Sequence, residues 1–234
     1  MAEYEERKSF NKKLERYIES FTQILGRRPV KAKDVMPRPG SSMIFAFEKL
    51  LFNKEIFLNK AVTGFHTESF HFESFSDYAD SFTIKFSPYG LSRFIDVPLD
   101  TLSNKLTETS VLFGKDVDEL YQNLGQTSLF PKRIALVEEY LLKRLKDPTE
   151  IEKTIFDFAD EVRHAQESVS LDELRKNIPL SKRELERKFK ALIGTDIHTF
   201  IRVSHNNIND DLFHHHETLS FADIHYEENN QSPF

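Results

Sequence analysis

The spacing of apolar residues along the chain changes near Pro88, and this change constrains the fold more than any other feature of the sequence. Before Pro88, polar residues alternate with Phe82, Ile84 and Phe86, and a short apolar run extends from Met43 to Phe47. Alternation is typical of a half-buried strand, and a short apolar run is typical of a strand buried on both faces. The sequence therefore predicts a sheet in the first part of the chain.

Beyond Pro88, apolar residues recur at the spacing of three and four that is typical of helices packed on a core. Four helices are predicted there, with buried positions at Leu99, Leu102 and Leu106; Val117, Leu120 and Leu124; Ile134, Val137, Leu141 and Leu145; and Ile151, Ile155, Phe158 and Val162. Helical spacing also occurs before the sheet, where residues 4–25 carry Leu14, Tyr17, Ile18, Phe21 and Leu25 and predict an amphipathic helix. The predicted fold class is therefore α+β.

Composition limits the classes of function. The chain has 234 residues, 39% of them hydrophobic and 30% charged, which is enough for two domains with packed cores. It has no cysteine, which excludes disulfides and cysteine-ligated zinc. Because no apolar run approaches the roughly 20 residues of a membrane span and the charged first residues lack a secretion signal, we expect a cytoplasmic protein with no membrane partner. The net charge of −6 requires that any contact with nucleic acid be local.

Two short helices joined by a tight turn are predicted over residues 170–194. Ser170 with Glu173, and Ser181 with Glu184, have the spacing of capping boxes, in which side chains bond to backbone N–H groups at a helix start. A turn over 177–180 separates the two helices, and Gly194 ends the second one, as glycine often does. This is the arrangement of a helix-turn-helix, whose second helix enters the major groove of DNA.

The second helix has an apolar and a cationic side. Its predicted buried stripe is Leu185, Phe189 and Leu192, and its polar side carries Lys182, Arg183, Glu186, Arg187 and Lys190. Arginine pairs with guanine, lysine neutralises phosphate and glutamate accepts from cytosine. Seven Lys or Arg stand against two Glu between Arg175 and Lys190, which a solvated helix with internal ion pairs would also explain. The caps, turn and terminal glycine together favour the DNA-reading helix, provided that its cationic side is free.

Residues 180–196, LSKRELERKFKALIGTD, resemble the first helix-turn-helix of the AraC/XylS regulators, whose pattern runs L-S-x-R-x-L-x-R-x-F-K-x-x-x-G. The resemblance implies that the positions of Lys182, Arg183, Glu186 and Arg187 approach double-stranded DNA. It also implies a long linking helix, matched by residues 197–213, and a second helix-turn-helix unit. Residues 219–234, LSFADIHYEENNQSPF, are similar to the start of that unit, with departures at His225 and Asn229.

The upstream half resembles the uncharacterised sensor-like domain that precedes some AraC-type domains, on PRPGSSMIF (37–45) and FSPYGLSRFIDVPLDTL (86–102). The two resemblances imply a sensor-like α+β domain with helices at its end over residues 1–166. An all-α helix-turn-helix domain with an incomplete second unit follows over 167–234. The 22 phenylalanines either build a core or line a ligand pocket, for which the candidates are Phe65, Phe70, Phe72 and Phe86.

The expected function is sequence-specific regulation of transcription by a DNA-binding protein, with a small-molecule effector or partner acting on the first domain and a homodimer as one assembly. The alternative is a ligand- or protein-binding module with a vestigial helix-turn-helix, because eight Lys or Arg stand against eleven Asp or Glu from Val169 onward. Consecutive histidines at 214–216 point in different directions along a helix, which favours a solvated helix end over a metal site. No catalytic set is present in the sequence, so neither an enzyme nor a cofactor is expected.

Overall fold

Two antiparallel sheets precede a series of helices in the computed structural model, which describes residues 2–27, 32–48, 50–52, 56–57, 59–164, 175 and 178–214. The strands are β1 Glu3–Arg7, β2 Ile18–Arg27, β3 Ala32–Val35, β4 Ser42–Ala46, β5 Leu50–Phe52, β6 Ile56–Phe57, β7 Lys60–Thr63, β8 Phe70–Ser74, β9 Tyr78–Phe86 and β10 Leu106–Glu108. The larger sheet has the order β1-β2-β9-β4-β7-β10, and the smaller has the order β3-β8-β5-β6. The helices are α1 Thr109–Phe113, α2 Val117–Gly125, α3 Phe130–Leu142, α4 Glu150–His164, α5 Lys182–Ile193 and α6 Ile197–His214.

The strands predicted from the apolar run and from the alternation are confirmed. β4 lies between β9 and β7, and Met43 and Phe45 on it have no exposed surface. On β9, Phe82, Ile84 and Phe86 are fully buried, while the polar residues between them are half-buried. The fold class of sheet plus helices is therefore confirmed for this part of the chain.

The prediction of a helix over residues 4–25 is wrong, because this segment forms β1, a turn and β2. β2 pairs on one side with β1, from Glu3↔Leu25 to Arg7↔Phe21, and on the other side with β9. Leu14 and Tyr17 belong to the turn and not to a strand, so the apparent helical spacing combined residues from two different elements. Hydrogen bonds to β9, more than fifty residues away, outweigh that local pattern.

The helix predicted around Leu99, Leu102 and Leu106 is also wrong in its second half. Leu99–Leu102 is a short 3-10 helix, and Leu106 begins β10, where it pairs with Thr63 of β7. Asn104 separates the two elements with a positive φ of 55°, a conformation that asparagine tolerates better than most residues. The other three predicted helices correspond to α2, α3 and α4.

Arg133 on α3 joins the helices to the core face of the larger sheet. Its side chain is fully buried, and it donates to the Asp80 carboxylate on β9 at 2.7 Å and to the Gln23 side-chain carbonyl on β2 at 2.9 Å. It also donates to the carbonyl of Leu124 in the last turn of α2 and to the carbonyl of Thr127 just after that helix. One buried cation thus fixes α2 and α3 against two neighbouring strands.

We predict that Arg133→Met lowers the free energy of unfolding by about 3 kcal/mol, because removing one partner of a buried ion pair leaves the other without compensation. Urea denaturation followed by circular dichroism measures this change. Lys132→Met is the matched control, since Lys132 is exposed on the same helix. Equal stabilities for the two variants would contradict the structural role of Arg133.

Candidate nucleic-acid interface

Helix α5 begins and ends where the sequence predicts. The Ser181 hydroxyl accepts from the backbone N–H of Glu184 at 3.3 Å, and the Glu184 carboxylate accepts from the backbone N–H of Ser181 at 3.3 Å, which completes the capping box. At the other end, Gly194 adopts the left-handed conformation with φ 101°, and its N–H bonds to the Lys190 carbonyl. Both caps are therefore confirmed.

The apolar side of α5 faces the protein core. Leu185, Phe189 and Ile193 are buried, whereas Leu192, predicted as part of this stripe, is half-buried. Ile193 takes the place predicted for Leu192 because helical spacing allows either residue to continue a stripe from Phe189. The Phe189 ring meets Phe158 of α4 edge to face, with ring centroids 6.0 Å apart.

All five predicted DNA-binding side chains, Lys182, Arg183, Glu186, Arg187 and Lys190, are exposed. Arg183, Glu186, Arg187 and Lys190 follow the spacing i, i+3, i+4, i+7, which places them on one side of a helix within an arc of about 100°. We call these four residues the α5 stripe. Within the described part of the chain, none of them forms a hydrogen bond or an ion pair through its side chain. The described residues therefore leave the cationic side of α5 exposed, as the prediction requires.

Glu184 lies outside the stripe and serves the helix cap. Hydrogen bonds from Ser181, together with the nearby charges of Arg187 and Lys188, lower its pKa, so the carboxylate is ionised at neutral pH. Because this carboxylate stands at the first turn, the start of α5 is already provided with a negative charge. The cations of the stripe, and not the helix N-terminus, are therefore the groups available to an anionic partner.

Residues 197–213, predicted to form the linking helix, are helical and lie within α6, while the link to a second unit stays a prediction. Asp196 caps it by accepting from the backbone N–H of Thr199 at 2.9 Å and from the Thr199 hydroxyl at 2.8 Å. Burial acts to raise the pKa of Asp196, but the hydrogen bonds from Thr199 outweigh it and the pKa is lowered. Helices α5 and α6 thus meet at a corner that is defined by Gly194 and Asp196.

The remaining parts of the predicted helix-turn-helix domain lie outside the described residues. These are its first helix with Ser170 and Glu173, the domain boundary near 166, and the second unit at 219–234. Before α5, the chain turns through hydrogen bonds from the Leu180 N–H to the Ile178 carbonyl at 2.8 Å and from the Ile178 N–H to the Arg175 carbonyl at 3.1 Å. The helix-turn-helix as a complete unit stays a prediction.

The four phenylalanines predicted to bind a ligand do not form one pocket wall. Phe65 and Phe86 are fully buried in the main core, where Phe65 packs against Phe200 and Phe86 against Phe94. Phe70 and Phe72 are half-buried on β8 and belong to a second apolar cluster, with Ala46, Ile44 and Leu106 of the larger sheet. The sequence could not separate the two pairs, since all four residues occur in segments of similar pattern.

The larger sheet carries a row of polar side chains that was not predicted from the sequence. Strand register places the side chains of Ser20, Lys85, Ser42 and Thr63 beside one another on β2, β9, β4 and β7. The next row on the same face contains Thr22, Thr83, Ile44 and Ala61, and Ile44 leads into the cluster with Phe70 and Phe72. Alternating polar residues on a strand normally mark a solvent face, so the pattern gave no sign that Ser20, Thr22, Ser42 and Thr63 are buried.

Glu6 on β1 completes this polar face. Its carboxylate accepts from the Ser20 hydroxyl at 2.5 Å and from the Lys85 ammonium at 3.0 Å. Burial acts to raise the Glu6 pKa, but the hydrogen bond from Ser20 and the charge of Lys85 lower it overall. The face therefore holds hydroxyl groups and one ion pair beside an aromatic cluster.

No group of three His, Asp or Glu side chains that could hold a metal ion occurs among the described residues, and His215 and His216 lie outside them. None of the described helices is long and apolar enough to cross a membrane.

Comparisons with known proteins give one family model, which covers the sheets, and a set of solved structures, which cover most of the chain. A family model described as "Domain of unknown function (DUF6597)" matches residues 11–108, which include β2 to β10. No curated protein matches the sequence. Among solved structures, the chain is similar to ToxT from Vibrio cholerae bound to (E)-4-(8-methylnaphthalen-1-yl)but-3-enoic acid, with 11% identity, a TM-score of 0.43, and coverage of 93% of this chain and 85% of that chain. An apo variant of ToxT from the same species gives 9% identity, a TM-score of 0.43 and 82% coverage of both chains. TM-scores of this size do not establish a shared fold.

We predict that Ser181→Ala destabilises α5 by about 1 kcal/mol, because a capping hydrogen bond is lost. Hydrogen exchange of the α5 amides should accelerate, while Ser69→Ala, at an exposed loop serine, leaves it unchanged. The contribution of Glu184 to the cap is complete above its ordinary pKa of 4.5 and is lost as the pH falls through its lowered pKa. Exchange rates in α5 that do not respond to Ser181→Ala would contradict this account of the cap.

Proposed function

We propose that this chain is a sequence-specific DNA-binding transcription regulator of the AraC type, which reads the major groove with the helix that starts at Ser181. The observation that carries the proposal is the α5 stripe, three cations and one carboxylate on the exposed side of a helix that is capped at both ends. A major groove about 12 Å wide admits such a helix. The buried side of α5 keeps the helix from turning its cations away from a duplex.

The exposed charged residues of α5 suit two kinds of contact with DNA, one to the bases and one to the phosphates. Arg183 and Arg187 can pair in bidentate fashion with guanine, and Glu186 can accept from the amino group of cytosine. Lys190 and Lys182 suit the phosphate backbone, where a point charge is sufficient. The net charge of −6 opposes non-specific coating of DNA, so affinity must come from this local surface. The same reasoning favours a homodimer, because contacts from one short helix add up only when two half-sites are bound together.

We further propose that an effector acts through the sheets. Phe70 and Phe72 remain ligand candidates, because they are half-buried beside the polar rows of the larger sheet. Phe65 and Phe86 are committed to the core and are better regarded as structural residues. An aromatic cluster next to buried hydroxyls suits a small molecule with both apolar and polar groups.

We predict that the protein binds a labelled duplex of random sequence with an affinity that falls steeply between about 50 and 200 mM salt. On random DNA, where the guanine contact is seldom satisfied, we expect Arg187 to contact phosphate instead. Arg187→Ala should therefore weaken this binding about 3- to 10-fold and lower the slope of log affinity against log salt by about 0.9, the value for one phosphate contact. Fluorescence anisotropy measures both quantities. Arg27→Ala, which removes the same charge from an exposed position on β2, is the matched control and should leave both unchanged.

The absence of salt-sensitive DNA binding at low ionic strength would contradict the proposal that this chain is a DNA-binding regulator. It would favour the alternative, a ligand- or protein-binding module with vestigial DNA-reading helices. An equal loss of DNA affinity in Arg187→Ala and Arg27→Ala would show a general effect of charge. It would contradict the assignment of DNA binding to α5.

We predict that Glu186→Gln has the opposite effect to Arg187→Ala on the affinity for random DNA. This substitution removes the one negative charge from the α5 stripe, so affinity for a random duplex should rise a few-fold. Discrimination between related sequences should fall at the same time, because the glutamate no longer selects cytosine. Anisotropy competition with duplexes of different base composition measures the two effects, and a fall in random-duplex affinity would contradict the proposed placement of Glu186.

A further inference from the structure

The C-terminal end of α5 rests directly on the part of the chain that contains the sheets. The Ser103 hydroxyl, just after the 3-10 helix Leu99–Leu102, donates a hydrogen bond to the carbonyl of Gly194. A Cβ atom added to Gly194 would lie 3.1 Å from the Cβ of Phe65 and 3.4 Å from the carbonyl oxygen of Leu99. Glycine is therefore required here for close approach as well as for its φ of 101°.

Backbone hydrogen bonds stabilise the surface on which Gly194 packs. Phe65 follows β7 and Ser103 precedes β10, so both stand at one end of the β7–β10 ladder. The Asn104 N–H donates to the Phe65 carbonyl at 2.8 Å, and the Gly64 N–H donates to the Lys105 carbonyl at 3.2 Å, which extends the ladder to this end. We call Phe65 and Ser103 the ladder end.

A chain of buried rings connects the ladder end with the reading helix. Phe65 lies 6.3 Å from Phe200 of α6, Phe200 lies 5.5 Å from Phe189 of α5, and Phe189 lies 6.0 Å from Phe158 of α4, measured between ring centroids. Phe65, Phe189 and Phe200 have no exposed surface, and all four rings belong to the main hydrophobic core. The buried side of α5 therefore packs on α4, on α6 and, through Phe200, on the sheets.

We propose that Phe65 and Ser103 are positioning residues, which fix the direction of α5 relative to the larger sheet and thereby aim the α5 stripe. This inference deepens the proposed function and rests on it for its meaning. It differs from an arrangement in which the DNA-reading helices are an autonomous unit on a flexible connection.

Geometry shows why the direction of the helix matters. At a rise of 1.5 Å per residue, Arg183 lies about 16 Å along the helix from Gly194. A tilt of about 10° at the ladder end would therefore move Arg183 by about 3 Å. Hydrogen bonds to base edges tolerate only a few tenths of an ångström around 2.9 Å, so a shift of that size would break them.

The test measures the direction of α5 by pulsed electron spin resonance between two spin labels. The chain has no cysteine, so Arg187→Cys on α5 and Lys132→Cys on α3 introduce two unique labelling sites at exposed positions. Ser103→Ala and Phe65→Leu are compared in this labelled background with Ser128→Ala, a matched control at an exposed serine. Thermal melting first verifies that every variant is folded at the temperature of measurement.

We expect one narrow distance distribution in the parent and in Ser128→Ala, and a shifted or broadened distribution in Ser103→Ala and Phe65→Leu. A loss of global stability alone would not change this distribution in a folded protein. Superimposable distributions for all four proteins would overturn the proposal.

DNA binding of the unlabelled variants separates this inference from the proposed function. We expect Ser103→Ala to reduce the discrimination between duplexes of different base composition about 3- to 10-fold with an unchanged salt slope, because contacts to base edges are lost while every cation of the α5 stripe remains. If neither the parent nor any variant binds DNA, the proposed function fails, while the distance distributions still decide whether the ladder end sets the direction of α5. If this discrimination is unchanged although the distance distribution shifts, the ladder end does not aim the stripe and the proposal is overturned.

Discussion

A single hydrophobic core, continuous from the larger sheet to α5 and α6, is the constraint on which this structure depends. Phe21 and Phe82 of the sheet, Phe156 of α4 and Phe189 of α5 all belong to it. A buried aromatic ring contributes its packing energy only while its neighbours stay in place. The sheet region and the cationic helix therefore cannot reorient independently without separating Phe65 from Phe200 and Phe189 from Phe158.

This shared core also decides how the charges of α5 are presented. A helix whose apolar stripe is held by three neighbouring elements must turn its opposite side outward, whatever the overall charge of the protein. Under the proposed function, the acidic composition repels DNA in general and the α5 stripe attracts it locally. A DNA sequence that makes only weak contacts with the stripe would then be bound poorly. Poor binding to such sequences is a requirement for sequence selectivity.

Sequence patterns predicted those elements whose local and tertiary preferences agree. α5 was predicted to within a residue because the Ser181 box, the apolar stripe and Gly194 all specify the same helix, and β9 was predicted because its alternation matches its burial. The N-terminal segment could not be predicted in this way, since β2 is a strand only because β1 and β9 flank it. The exposed site residues follow from the helix alone, whereas the docking of Gly194 on Phe65 depends on a contact across more than a hundred residues, of which the local sequence carries no trace.

The β7–β10 ladder connects the contact with α5 to the aromatic cluster of Phe70 and Phe72. One end carries Phe65 and Ser103, which contact Gly194 at the end of α5. Leu106, the first residue of β10 at that same end, belongs to the cluster of Phe70 and Phe72. Backbone hydrogen bonds join the two strands of the ladder, so under the proposed function a ligand that displaced this cluster would shift both strands together. Two sites coupled through one stiff element need only a differential affinity for its two positions. A rigid docking of α5 is therefore what would allow a small molecule on the sheets to control the aim of a helix that it does not touch.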